Sequence, residues 1–185
     1  MSEINLLADK IEEAIRKMFA SAAEQKSGMV NYALLFNPKK SKTWVIVLFF
    51  DDKAKLKKAL NEGFCYAVHQ FLKNELDLID KELPVSIRFD AGQYPTNETE
   101  YELLLEKHTA VYDTLNNEKG QHQICPECGH EWSKHQLRGY KIEDNAAPKE
   151  GWMTCPEEDC FCFMTWDLDK RISTKEFGKL YEDEA

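Results

Sequence analysis

Apolar residues recur at three- and four-residue spacing through Ile4, Leu7, Ile11, Ile15, Met18, Phe19 and Ala22, which is the period of one helix face. Ser27-Gly28 supplies the stop, so a first helix is expected over residues 3–25. Its polar face is mixed and acidic rather than basic, which points to packing in a core and not to a membrane surface. Residues 29–36 and 43–50 are rich in β-branched and aromatic side chains and flank Asn37-Pro38-Lys39-Lys40-Ser41-Lys42, the pattern of a hairpin. The second of these strands is continuously apolar, so it is expected at the centre of a sheet with both faces covered. Asp51-Asp52 can cap a long helix whose apolar positions are Leu56, Leu60, Phe64, Ala67, Val68, Phe71, Leu72 and Leu76. Beyond Pro84, residues 85–89 read as a third strand, residues 91–95 as a loop, and Thr96 or Thr99 as the cap of a last helix reaching Asn116. The order α-β-β-α-β-α predicts a small α+β domain over residues 1–117, a polar linker at 118–123, and a second part at 124–185 that closes on a short acidic tail.

That second part has a different character, because five of the six cysteines fall between Cys125 and Cys162, in the segments CPECGHEW and CPEEDCFCF. Two residues between Cys125 and Cys128 let both sulfurs reach one tetrahedral ion at about 2.3 Å, while Pro126 sets the turn and Gly129 can take positive φ. Cys155, followed by Pro156, opens a second knuckle. Cys160 closes it across four intervening residues; Cys162, two further on, is the alternative closing ligand and otherwise a buried thiol in a strand over residues 161–164.

With these motifs, residues 122–170 resemble a zinc ribbon, in which two knuckles on β-hairpins grip one ion. The resemblance implies a folded module with one structural Zn²⁺ per chain, held by Cys125, Cys128, Cys155 and Cys160, and it implies little about activity, since ribbons serve many functions. His122 and His130 are possible substitutes for the fourth ligand; the competing reading makes each a surface histidine beside a site that four cysteines already complete. Knuckle spacing and the lack of a secretory leader argue against a disulfide framework, so a reducing cytoplasm is the expected location.

Charge narrows the functional classes. The formal net charge is −9, and both parts of the chain are acidic, which argues against bulk non-specific binding to DNA. The longest apolar run, residues 44–50, is too short to span a membrane. Two basic islands interrupt this background: Lys39, Lys40 and Lys42 at the hairpin tip, and the segment carrying Trp132, Lys134, Arg138, Tyr140 and Lys141. In the latter, cations alternate with aromatic rings, as contact with phosphates and bases would require. The blander account is a solvated hairpin whose Trp132 and Tyr140 cover the knuckles.

Catalysis has one candidate arrangement. If the second and third strands are joined by a parallel crossover, Asp51, Asp52 and Asp90 share one sheet edge and could hold Mg²⁺ for phosphoryl transfer or nuclease-like chemistry. This trio faintly resembles the acidic pocket of response-regulator receiver domains, although the repeated β-α units and the matching lysine are missing. The competing reading makes Asp52 a helix cap and the other two ordinary loop carboxylates. Cys65 and His69 share a helix face with Phe64, Val68 and Phe71 and read as a buried thiol beside a satisfied histidine. The closed thiolate site favours a non-catalytic adaptor that binds a protein or nucleoprotein partner. The Mg²⁺-dependent enzyme is the alternative.

Overall fold

A computed structural model describes residues 3–23, 28–37, 42–109, 124–125, 127–138 and 150–167. The expected linker at 118–123, the end of the last helix beyond Thr109, His122, Pro126, Lys39, Lys40, Tyr140, Lys141 and the acidic tail lie outside them. The chain divides into two compact units, residues 1–109 and 110–185.

The first unit runs α1 (Glu3–Ala23), β1 (Met29–Asn37), β2 (Thr43–Phe50), α2 (Lys53–Glu62), α3 (Phe64–Ile79), β3 (Val85–Asp90) and α4 (Glu98–Thr109). Its sheet has the order β1-β2-β3, with β1 and β2 antiparallel and β2 and β3 parallel. The continuously apolar β2 is therefore central, and all of its residues after Thr43 are buried. Alternation along a strand sends Val45, Val47 and Phe49 to one face, where they pack with Ala33, Leu35 and Leu104 of α4. Trp44, Ile46, Leu48 and Phe50 take the other face. There Phe50 meets Phe64 of α3 edge to face at 6.4 Å, and Tyr32, paired with Leu48, meets Phe19 of α1 at 5.8 Å. One helix thus covers the first face, while α1, α2 and α3 lie on the second.

Three local expectations are corrected. The long helix is two helices, because Gly63 at φ 88° ends α2 and starts α3, a left-handed turn that a residue with a Cβ resists. Asn97, and neither Thr96 nor Thr99, caps α4: its side chain accepts from the Glu100 N–H at 3.0 Å, while the Glu100 carboxylate accepts from the Thr96 N–H at 2.7 Å. The apolar face of α1 is buried at Ile11, Ala14, Ile15 and Met18, but Ile4 in its first turn is exposed.

Asp90 ties α4 to the sheet. Its side chain is 3 % exposed at the end of β3, and it accepts from the Gly92 N–H at 3.0 Å and from Lys107 Nζ at 2.5 Å, with His108 Nε2 at 3.0 Å. Burial pushes this carboxyl upward, yet the hydrogen bonds from His108 and Lys107 together outweigh burial and hold it well below the usual carboxylate range.

The second unit contains a 3₁₀ turn, η1 (Trp132–Lys134), and a three-stranded antiparallel sheet of β4 (Gln136–Arg138), β5 (Glu150–Thr154) and β6 (Phe163–Asp167), in the order β4-β5-β6.

Two outcomes follow for the first unit. Gly63→Ala should cost about 1–2 kcal/mol in urea unfolding, because the left-handed turn is retained with a Cβ in it. Asp90→Asn should cost on the order of 1–3 kcal/mol at neutral pH, since Lys107 and His108 then face an uncharged amide. A depressed carboxyl stabilises the fold above its unfolded value of about 3.9 and loses that contribution as pH falls toward the folded value. The stability gap between wild type and Asp90→Asn should accordingly narrow below about pH 4; equal gaps at pH 7 and pH 3 would show that the ionised pair contributes nothing.

Candidate metal centre

A short hairpin loop builds the first half of the centre. Ile124 and Glu131 form a bridge, the Cys125 N–H donates to the His130 carbonyl at 2.8 Å, and the Gly129 N–H donates back to the Cys125 carbonyl at 2.9 Å. Gly129 takes φ 72°, as the turn requires, and the loop turns the sulfurs of Cys125 and Cys128 inward. The second half grows from the β5-β6 hairpin, whose last rung pairs Thr154 with Phe163. Cys155 and Cys162 stand just beyond that rung on opposite strands, and Cys160 lies between them in a turn closed by its N–H on the Glu157 carbonyl at 3.1 Å.

The side chains gather into two sets of four. Cys125, Cys128, His135 and Cys162 form one; Cys128, His130, Cys155 and Cys160 form the other. Within each set all ligand atoms lie within 4.8 Å of one another. The expected quartet of Cys125, Cys128, Cys155 and Cys160 is thus divided between two sets, and Cys162, the alternative closing ligand, joins the first. Cys125, Cys155, Cys160 and Cys162 are buried, and Trp132 and Met164 pack against them. His130, half-buried, lies with the second set.

The spacing of these atoms suits a tetrahedral ion. Bonds of about 2.3 Å to sulfur and about 2.0–2.1 Å to nitrogen place sulfur–sulfur edges at about 3.8 Å and sulfur–nitrogen edges at about 3.6 Å. Cys125 Sγ and Cys162 Sγ stand 3.8 Å apart, Cys128 Sγ and His135 Nε2 3.4 Å apart, and Cys155 Sγ and His130 Nδ1 3.4 Å apart. Soft thiolates joined by imidazoles are the donor set of zinc. His135 is 5 % exposed. Its Nδ1 lies 3.1 Å from the Glu131 carbonyl, and since a carbonyl oxygen only accepts, Nδ1 carries the proton. Nε2 is thereby left with its lone pair toward Cys128, the arrangement in which histidines bind metals.

Without a cation the sulfurs divide protons among themselves. Hydrogen bonds from Cys128 hold Cys125 well below the ordinary thiol range and Cys160 down to about 5. Cys128 is pushed up by its contacts with Cys125 and Cys160, Cys162 by its contact with Cys125, and Cys155 by burial to about 11.

Sequence spacing did not single out His135, which stands seven residues past Cys128, outside any knuckle. The usable signal was its place four residues after Glu131 at the end of a turn. The described residues of the basic-aromatic segment, Trp132, Lys134 and Arg138, are engaged within the unit. Trp132 stacks on the His135 ring at 5.4 Å, Lys134 pairs with Glu131 at 3.2 Å, and Arg138 bonds to Thr154 at 3.3 Å and to Gln136.

In the first unit, the parallel pairing of β2 with β3 does bring Asp51, Asp52 and Asp90 to the same end of the sheet. Each is engaged there. Asp52 caps α2 by accepting from the Lys55 N–H at 2.9 Å, Asp51 pairs with Lys55 Nζ at 2.7 Å, and Asp90 is held by Lys107 and His108. Among the described residues, the groups of three or more closely spaced metal-ligating side chains all belong to the second unit. Burial keeps the Cys65 thiol protonated, and burial, then Lys73 and Arg88, lower His69 to about 4. No helix among the described residues is long and apolar enough to cross a membrane. Comparison of the chain with protein-family models, with curated proteins and with solved structures gives no match.

Proposed function

We propose that this protein is a zinc-binding, non-catalytic adaptor in which a ribbon-like second unit, folded around structural Zn²⁺, joins the α+β surface in binding a protein partner or a nucleoprotein. The observation that carries this reading is the gathering of cysteine and histidine ligands into complete sets of four, because a zinc ion with four protein ligands keeps no position for water or substrate. Such an ion contributes folding free energy and shape. Among the described residues of the second unit, the cluster of five sulfurs and two imidazoles stands where the apolar core of a larger domain would, beside buried Trp152, Met153 and Phe163.

Within this class, a protein partner is favoured over nucleic acid. Trp132 presents a face to His135, Arg138 is bonded inside the sheet and Lys134 pairs with Glu131, so among the described residues the groups that would stack on bases or contact phosphates already have partners. The net charge of −9 points the same way. Nothing at the acidic end of the first sheet favours the Mg²⁺-dependent enzyme, since each carboxylate there supports a helix or a packed helix end.

Removal of metal by a chelator should abolish the ordered tertiary signals of the second unit while the helical signal of the first survives. Partner capture by the full chain should persist after nuclease digestion and be lost in the chelated protein or in Cys155→Ser. Capture lost to nuclease, together with weaker binding and a shallower salt slope in Lys134→Ala/Arg138→Ala, would replace the protein partner with a nucleoprotein. Hydrolysis of a phosphate ester on addition of Mg²⁺, abolished by Asp52→Asn, would end the adaptor reading.

A further inference from the structure

The two ligand sets have one member in common. We propose that the second unit binds two zinc ions bridged by the Cys128 thiolate, the first completed by Cys125, His135 and Cys162 and the second by His130, Cys155 and Cys160. This rests on the reading of the cluster as a zinc site and adds to it the number of ions, both histidine ligands and the sulfur that joins them.

The ligand count calls for two ions. One tetrahedral ion takes four donors, which would leave three more of these buried or half-buried sulfurs and imidazoles pressed against it with no cation of their own. Two ions sharing one sulfur need seven donors, the number present. Tetrahedral edges occur in both sets: Cys125 to Cys162 and Cys128 to His135 in the first, His130 to Cys155 in the second. A single ion at one set would account for the spacing there and leave that of the other without cause.

Cys128 is suited to the shared position. Its sulfur touches those of Cys125, Cys160 and Cys162 as well as His135, so it sits between the sets and not at the rim of either. A thiolate has lone pairs enough for two metals, whereas an imidazole nitrogen has one. The histidines accordingly take terminal positions, one in each set. His135 is prepared for this by the Glu131 carbonyl, which fixes the proton on Nδ1 and leaves Nε2 bare toward the cluster.

Charge is compatible with the same count: five cysteines release their protons to solvent as they become ligands, and two divalent cations then bring the cluster close to neutrality in its buried place. The division also has a structural consequence. The first set joins the Cys125–Cys128 knuckle and η1 to the start of β6, the second joins that same knuckle to the β5-β6 turn, and Cys128 is the atom through which the halves meet.

Metal analysis and zinc X-ray absorption on the full chain, purified without chelator, test this directly. The expected result is two zinc ions per chain, an average shell of three sulfurs and one nitrogen, and a metal–metal vector at about 3.5–4 Å. His130→Ala and His135→Ala should each reduce the zinc content, whereas Cys65→Ser, which changes the buried thiol of the first unit, should leave both ions. Cobalt substitution reports the bridge independently of any variant, because two Co²⁺ ions sharing a thiolate couple magnetically. One ion per chain in a four-sulfur shell would overturn the inference and leave the single-zinc reading standing. Two ions with magnetically independent cobalt would overturn the role of Cys128. No bound zinc would overturn the zinc reading itself.

Discussion

Mutual repulsion among buried sulfurs is the constraint on which the second unit depends. Four cysteine side chains and two imidazoles stand at ligand spacing around Cys128, closer than thiolates could remain without cations between them. The peptide chain accepts this arrangement at small cost in backbone geometry. One glycine in a left-handed turn, two cross-strand hydrogen bonds in the first loop and the end of a two-stranded ladder are enough to aim the sulfurs inward. A metal ion bound there would do what a hydrophobic core does in a larger domain, and on the zinc reading proposed above it would couple the folding of this unit to the availability of zinc.

The first unit is held by a different interaction, the burial of one apolar strand on both sides. With β2 central, α4 covers one face and α1, α2 and α3 the other, which is why an eight-residue segment organises about a hundred residues around it. The parallel step from β2 to β3 also gathers three aspartates at one end of the sheet, where a sequence reading suspects chemistry. Their partners are what decide the matter. Lys55 takes Asp51, the first turn of α2 takes Asp52, and Lys107 with His108 takes Asp90, so the acidic edge is spent on holding helices to the sheet.

Much of the architecture was legible in the order of residues, because periodicity reports which face of an element is buried. The three-four spacing of α1, the hairpin of β1 and β2, the central place of β2 and the metal-binding character of Cys125 and Cys128 all follow from local pattern and spacing. What local pattern could not decide was set by contacts between residues far apart in the chain. Gly63 lies inside an unbroken helical period, and only its left-handed φ shows that α2 and α3 are separate. Asn97 outcompetes two threonines as the cap of α4 because its carbonyl oxygen meets the Glu100 N–H. Above all, ligand grouping is a tertiary property. Knuckle spacing assigns Cys125 and Cys128 to one ion and Cys155 and Cys160 to the same one, but the β5-β6 ladder delivers Cys162 to the first set, the 3₁₀ turn delivers His135 beside it, and Cys128 is left between two complete sets. Spacing along a chain fixes which sulfurs can share an ion; which ones do depends on where the strands bring the rest.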